Sequence, residues 1–342
     1  MASQKLFVTG AAGFIGSAFA GQRIAAGDRV LVYDALTYAG HRENLAWIEG
    51  ENLRIVVGDI CDGENVLKLL REFQPDAIVN FAAESHVDNS IAAPGAFITT
   101  NILGTYAMLE AARLYWNALP PEGKQNFRYV QVSTDEVYGS LGDSGYFTEA
   151  SQYQPNSPYS ASKAAGDHLA HAWFHTYGLP TIVTNCTNNY GPRQFPEKLI
   201  PVVITKALAG EKLPVYGTGT NVRDWIHVED HCHGVWLAAS KGNPGETYCF
   251  GGRAERDNLT VVKCLCAILD ELRPRADGKP YEQQIAFVQD RAGHDFRYAM
   301  DDKKSEKVLG FTRRYTFEEG LKATVQWYLD NGAWAKAVTK KS

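Results

Sequence analysis

Basic residues do not dominate this chain: 34 lysines and arginines stand against 39 aspartates and glutamates, a formal net charge of -5. With no excess of positive charge to form a footprint, nucleic acid is not an expected partner, although local cations can still meet an anionic ligand. Long hydrophobic runs are missing too. No stretch approaches the roughly 18 apolar residues that suggest a membrane span, so no membrane association is expected. The first residues enter a strand pattern at once, without a basic segment and apolar run of the export type. The six cysteines (Cys61, Cys186, Cys232, Cys249, Cys264, Cys266) are scattered and form no C-x-x-C pair. That usage fits free thiols in a cytoplasmic protein better than a disulfide framework. Repeats, low-complexity tracts and flexible linkers are also absent. What remains is a chain of 342 residues, 45% hydrophobic and 21% charged, long enough to bury a large core.

The first half alternates strand and helix. Buried-strand patterns fall at 5–9, 29–33, 54–57, 77–81, 127–133 and 181–185, and helical patterns at 14–26, 66–73, 96–116 and 159–177. This alternation predicts an α/β protein with a Rossmann-type, doubly wound parallel sheet. After about residue 190 the rhythm breaks into short segments rich in glycine and proline. A smaller C-terminal α/β portion, packed on the sheet's ligand edge, is expected there.

Thr9-Gly10-Ala11-Ala12-Gly13-Phe14-Ile15-Gly16 is a G-x-x-G-x-x-G turn between the first strand and the first helix. Glycines Gly10, Gly13 and Gly16 let backbone approach a pyrophosphate, whose charge a helix N-terminus stabilises. Asp34 ends the second strand, where a carboxylate accepts from ribose hydroxyls and repels a 2′-phosphate, which selects NAD over NADP. Asp59, after the third strand, is placed to meet the adenine or to form a local turn. Tyr159 and Lys163 stand one helical turn apart and share a face. An ammonium beside a phenol stabilises phenolate, so this pair suits proton removal from a hydroxyl during its oxidation. Thr134, Asp135 and Glu136 follow the fifth strand, at the carboxyl edge where open α/β sheets bind ligands. Dehydration needs a base beside a carbonyl and an acid for the leaving hydroxyl; Glu136 and Asp135 can divide those roles if their environments separate their pKa values.

In these stretches, and in Ala83-Glu84-Ser85-His86-Val87-Asp88, Asn188-Asn189-Tyr190-Gly191-Pro192, Phe195-Pro196-Glu197-Lys198-Leu199-Ile200-Pro201 and Arg223-Asp224-Trp225, the chain resembles the extended short-chain dehydrogenases/reductases. Among these it is most similar to the dTDP-glucose 4,6-dehydratases. The resemblance implies that Phe14, Ile15, Asp34, Thr37, Asp59, Ile60, Ala82, Ala83, Thr100, Tyr159, Lys163 and Asn189 line NAD. It implies that Ser85, Thr134 and Asn188 contact the sugar or its phosphates. Lys198, Leu199, Pro214, Tyr216, Arg223, Asn258, Arg291 and His294 would then hold the nucleoside diphosphate, with Arg223 as a bidentate fork. Residues 1–190 would form the NAD-binding domain, with later segments returning to it, and 191–342 mainly the sugar-nucleotide-binding domain. A homodimer joined through the helices near 96–116 and 159–177 is implied as well, with deoxysugar synthesis, rhamnose included, as the setting. Related 4-epimerases generally lack the paired acid and base, and a non-catalytic sensor would need neither that pair nor Tyr159 and Lys163. Two departures stand out: Asn89 replaces an arginine common after His-Val-Asp, and Arg193-Gln194 falls in a variable stretch expected at the substrate rim. No metal is expected: His231 and His233 point to nearly opposite sides of a helix, and Cys264 and Cys266 fail the same test.

Overall fold

The computed structural model describes residues 3–290 and 295–339. Its centre is a seven-stranded sheet, parallel throughout, of β1 (Lys5–Thr9), β2 (Arg29–Asp34), β3 (Leu53–Val57), β4 (Ala77–Asn80), β5 (Arg128–Val132), β6 (Thr181–Cys186) and a late strand, Thr247–Phe250. From one edge the order runs β3-β2-β1-β4-β5-β6, then the late strand. The first six follow the dinucleotide-fold order, whose direction reverses between β1 and β4. Alternating residues divide each central strand between two cores. Leu6, Val8, Val30 and Val32 pack with Phe19 and Val235 on one face, while Phe7, Leu31 and Tyr33 pack with Leu70, Met108 and Leu109 on the other. Burial on both faces explains why these strands read as apolar runs.

The helices Phe14–Ala25 and Val228–Lys241 cover the first face. Gly63–Phe73, Thr105–Asn117 and Pro158–Tyr177 cover the second. The stretch expected as one helix over 96–116 is instead Pro94–Phe97, a wide π-turn at Ile98–Gly104 and Thr105–Asn117. Within the π-turn Asn101 bonds Glu84 through both backbone N–H and C=O and donates to Ser162 Oγ at 2.8 Å. The extra residue per turn buries Asn101 and leaves Thr100 facing the sheet's carboxyl edge.

Beyond residue 190 the chain builds a smaller lobe. Its strands are β7 (Asn188–Tyr190), β8 (Leu213–Tyr216), β9 (Val222–His227), β11 (Glu255–Asp257) and β12 (Ile285–Val288), with the late sheet strand Thr247–Phe250 counted as β10. β7 and β11 flank β9, and β8 pairs with β12. The helices Leu199–Ala209, Asn258–Leu272 and Phe317–Asp330 close a separate core of Ile200, Val203, Leu265, Leu321 and Val325. The lobe is thus entered before β10 completes the main sheet and re-entered after it. Where β10 ends, buried Asp302 accepts from Gly251 N (3.3 Å) and Arg253 Nη2 (2.9 Å), and also pairs with Arg313. Asp224 accepts from Gly252 N and Ala254 N at 2.9 and 2.7 Å.

Glu306 also pairs with both guanidiniums, so removing the Asp302 carboxylate chiefly strands the buried Gly251 N–H and weakens the hold on Arg313. Asp302→Ala should therefore destabilise the fold by about 1–3 kcal/mol, read as a lower urea midpoint at unchanged slope.

Candidate functional site

A cleft of about 340 Å³ opens along the carboxyl ends of the central strands. Every residue expected to hold the dinucleotide lines it, from Gly10 to Asn189, as do Thr134, Asp135, Glu136, Tyr159 and Lys163. At one end, Gly10 has a φ of +65°, and a Cβ there would lie 2.5 Å from Ala82 N, so only glycine fits. Gly13 opens the helix Phe14–Ala25 without a side-chain cap, leaving the first-turn N–H groups directed at the cleft. Asp34 accepts from Ala12 N and Leu36 N, both at 2.8 Å, and burial raises its pKa. Asp59 accepts from Cys61 N at 2.8 Å while still lining the cleft, so the local turn and the wall position coexist. A turn too tight for side chains, a free helix N-terminus and a carboxylate at the second strand's end together suit an adenine dinucleotide with an unphosphorylated 2′-hydroxyl.

The other end is built on β5 and the helix Pro158–Tyr177. Ser157 caps that helix through a reciprocal pair with Ser160, and Pro158 occupies its first turn. This start fixes Tyr159 in the first turn and Lys163 one turn on. Lys163, 5% exposed, donates to Val132 O at 2.7 Å. Burial lowers its pKa, and the charge of Asp167, one further turn along, opposes that loss. Asp167 is wholly buried; its Oδ2 accepts from Ser133 Oγ (2.7 Å), Tyr153 OH (3.1 Å) and Asn185 Nδ2 (3.4 Å). Burial outweighs these donors and pushes its pKa up to about 6.

The acidic pair is asymmetric. Asp135 is 2% exposed and its Oδ2 lacks a hydrogen-bond partner, whereas Glu136 is only partly buried. Burial first, and then the charge of Glu136, holds the Asp135 pKa well above the carboxylate range, with Arg223 pulling the other way. Thr134 accepts from Glu136 N at 3.3 Å, donates to Asp135 Oδ1 at 3.3 Å and hydrogen-bonds Tyr159. One expectation is corrected here. The Tyr159 phenol is raised well above its ordinary value, not lowered, because burial and the charges of Glu136 and Asp135 oppose phenolate. The Lys163 ammonium is turned toward the Val132 carbonyl and balanced by Asp167.

The expected substrate residues divide. Ser85, Asn188 and Lys198 line the cleft, and Lys198 donates to Ser85 O at 3.0 Å. Leu199, Pro214, Tyr216, Arg223 and Asn258 are not in its wall. Leu199 packs into the lobe core, Pro214 and Tyr216 lie on β8, and Asn258 opens the helix Asn258–Leu272. Arg223 is 5% exposed and gives its guanidinium to the carbonyls of Val222 (2.7 Å), Asp295 (3.0 Å) and Phe296 (3.3 Å). Its charge still reaches Asp135, but the open fork expected for a diphosphate is replaced by backbone bonds. Arg291 and His294 lie outside the described residues. Of the two departures, Asn89 N bonds His86 Nδ1 in a short helix cap; Gln194 lines the cleft, but Arg193 does not. Arg193 lies over the Trp47 ring, 4.0 Å from its centroid. Among the described residues no group of three or more possible metal ligands occurs; His231 Nδ1 meets Asn189 Oδ1 at 3.0 Å, and Cys232 Sγ meets Ile15 O.

Sequence reasoning passed over Glu84, Cys186 and Glu197, which also line the cleft. Glu84 and Glu197 raise no motif of their own, although each sits beside an assigned residue; Glu197 accepts from Tyr38 OH at 3.4 Å and approaches His86 Nε2 at 3.9 Å.

The chain matches the family model described as GDP-mannose 4,6 dehydratase over residues 7–324. It is 59% identical over 332 residues to the dTDP-glucose 4,6-dehydratase of Xanthomonas campestris pv. campestris strain B100, covering 97% of this chain and 95% of that protein. With dTDP-glucose 4,6-dehydratase 1 of Escherichia coli K12 it shares 51% identity over 345 residues, 98% and 95% of the two chains. Among solved structures it is similar to the Streptomyces venezuelae dTDP-glucose 4,6-dehydratase DesIV with NAD and dTDP bound (TM-score 0.89, 45% identity, 98% and 99% covered). The Thermus thermophilus UDP-glucose 4-epimerase with NAD is more distant in sequence, at 27% identity and a TM-score of 0.83, covering 96% and 99%.

The buried Asp167 gives a pH signature with a defined sign. Its folded-state pKa, about 6, lies above the ordinary 3.8, so below pH 4 both states hold the proton and nothing is lost. As pH rises through 6 the folded chain must ionise this carboxyl in a buried place, at a cost of up to about 3 kcal/mol. Asp167→Asn should flatten that part of the stability profile, measured by urea unfolding in steps from about pH 4 to pH 7.

Proposed function

We infer the chemistry of the cleft from one premise: the chain belongs to the dTDP-glucose 4,6-dehydratase family, within the extended short-chain dehydrogenases/reductases. It is an NAD-dependent hydro-lyase that converts dTDP-glucose to dTDP-4-keto-6-deoxyglucose, by oxidation at C4, loss of water across C5 and C6, and reduction at C6. When bound, NAD supplies a reversible two-electron acceptor on a positively charged ring. Gly10, Gly13 and the N-terminus of Phe14–Ala25 would hold its pyrophosphate, Asp34 its adenosine ribose, and Tyr159, Lys163 and Asn189 its nicotinamide end.

The roles that follow are our assignment. Tyr159 takes the 4-hydroxyl proton; its raised pKa in the protein means that it must be activated when the positive ring lies beside it. Lys163 anchors the helix turn beneath that phenol. Thr134 donates to the oxygen at C4 and holds Tyr159 and Asp135 in one hydrogen-bonded group. Glu136, the more accessible carboxylate, takes the C5 proton, which the neighbouring 4-ketone acidifies. Asp135 delivers a proton to the departing 6-hydroxyl. The observation that carries this division is the burial of Asp135 beside Glu136: burial, and then the like charge, raises the Asp135 pKa and favours its acid form, while Glu136 is the more accessible carboxyl.

We place the sugar and diphosphate against Ser85, Asn188 and Lys198, with Leu199, Pro214, Tyr216, Arg223 and Asn258 shaping the outer lobe. Residues 191–342 thus mainly serve the sugar nucleotide and 1–190 mainly serve NAD. We further propose a homodimer in which the segments 94–117 and Pro158–Tyr177 of two protomers form a four-helix bundle. Ile98, Leu103, Tyr106, Leu114 and Tyr177 are large, apolar and exposed in these segments, as a buried seam requires. Unpaired thiols at all six cysteines support a cytoplasmic setting. Among the described residues no helix is long and apolar enough to cross a membrane. The product suits deoxysugar synthesis, rhamnose included.

Purified protein given dTDP-glucose should form a 4-ketone with the mass loss of one water, followed by mass spectrometry and alkaline absorbance. An epimer of unchanged mass would overturn the reading. Tyr159→Phe should lower kcat by about 10²–10⁴-fold. Asp135→Asn should oxidise C4 yet stall before water is lost, seen as an oxidised sugar nucleotide that retains its 6-hydroxyl. Light scattering should give twice the chain mass, and Tyr106→Glu should shift it toward one chain.

A further inference from the structure

The turn between Gly10 and Gly13 is tied to its surroundings on both sides of Ala12. Its N–H donates to Asp34 Oδ2 at 2.8 Å, and its carbonyl accepts from His41 N at 2.9 Å and Asn44 Nδ2 at 2.7 Å. Asn44 is 2% exposed, so water has little access to replace that donor. The other end of the same amide, Oδ1, accepts from Trp334 Nε1 at 2.9 Å. Trp334 belongs to Gly332–Thr339, the last helix described, and lies edge-on to Trp327 and Tyr328 of the lobe helix Phe317–Asp330.

A second tie runs alongside. Arg193, at a φ of +68°, places its guanidinium 4.0 Å from the Trp47 ring centroid and 5.3 Å from that of Trp327. Trp47 in turn packs on the helix that follows the glycine turn: a Cβ at Gly21 would lie 2.1 Å from Trp47 Cη2. The segment 41–48 is therefore fixed between the glycine turn and the C-terminal lobe. Neither Trp334 nor Asn44 lines the cleft, so their influence has to pass through Ala12.

We propose that Trp334, acting through Asn44, is a positioning residue that clasps the glycine turn and sets how long the protein retains NAD. This rests on the NAD reading of the cleft and extends it to an element outside the dinucleotide domain. With the indole donor present, the Asn44 amide has one favoured orientation and keeps its N–H on the Ala12 carbonyl. Without it the amide can rotate, and the turn loses a buried bond. The interest of such a device lies in the reaction itself: a cofactor that ends each cycle in its starting form has no need to leave, and losing it midway strands an oxidised sugar.

The test compares NAD dissociation from purified holoprotein, chased with excess labelled NAD, in the parent, Trp334→Phe, Asn44→Ala and the double variant. Phenylalanine keeps the ring packing and removes only the donor. Trp334→Phe should speed dissociation about five- to tenfold, the effect of one buried hydrogen bond. Asn44→Ala should speed it at least as much, and the double variant should match Asn44→Ala alone. NAD-stripped Trp334→Phe should melt only a few degrees below the parent, as the loss of one buried bond predicts. An unchanged rate in either single variant overturns the clasp, as does an equal acceleration by Trp334→Phe with and without Asn44. A parent that holds no NAD at all would instead overturn the cofactor reading beneath it.

Discussion

Taking a carboxyl group out of water favours its protonated form, and much of this cleft follows from doing so at Asp135. The residue sits in the turn that follows β5, 2% exposed, and its neighbour Glu136 adds a like charge that further disfavours ionisation. Such a site cannot also tolerate a loose ammonium close by, which would pull the proton off. Lys163 is accordingly drawn away, onto the Val132 carbonyl and toward buried Asp167. Arg223 is likewise occupied by three backbone carbonyls, so its charge moderates Asp135 from a distance without pairing with it. This end of the cleft thus holds two systems, the acidic pair and a lysine–aspartate pair tied to the Val132 carbonyl.

What the sequence makes readable is what is contiguous. Gly10, Gly13 and Gly16, or Tyr159 and Lys163, announce themselves because the geometry they need is built within one or two turns of chain. The π-turn at Ile98–Gly104 does not, since the apolar pattern does not mark where a helix takes up an extra residue per turn, and only the register of Asn101 against Glu84 and Ser162 reveals it. The return of the chain to the sheet as β10 is hidden for a simpler reason: Thr247–Phe250 is four residues long. The direction of a long side chain is the least readable feature. Arg223 looks like a diphosphate fork in isolation, and it is residues some seventy positions later, Asp295 and Phe296, that capture it. Glu84, Cys186 and Glu197 reach the wall through tertiary folding alone. The direction of the Tyr159 pKa is hidden for the same cause, because it follows first from burial in the folded cleft and then from the charges of Glu136 and Asp135 on another element.

The two halves of the molecule are joined more closely than a division near residue 190 suggests. The helix Val228–Lys241 packs on the main sheet from within the later sequence, and the turn after β10 is tied to both lobes by Asp224 and Asp302. The main sheet and the later lobe therefore share structural members, which favours a fixed relation between the two walls of the cleft over a freely hinged one.

The position of β10 also governs how the protein can be born. A ribosome releases the chain from its N-terminus, and the sixth sheet strand emerges with one edge still bare until residues 247–250 follow it. Through that interval β6 offers an unpaired edge, Thr181–Cys186, to whatever strand is nearest. Nascent chains of this protein consequently pass through a window, some sixty residues long, in which neighbouring copies on a crowded messenger are competitors for the same edge.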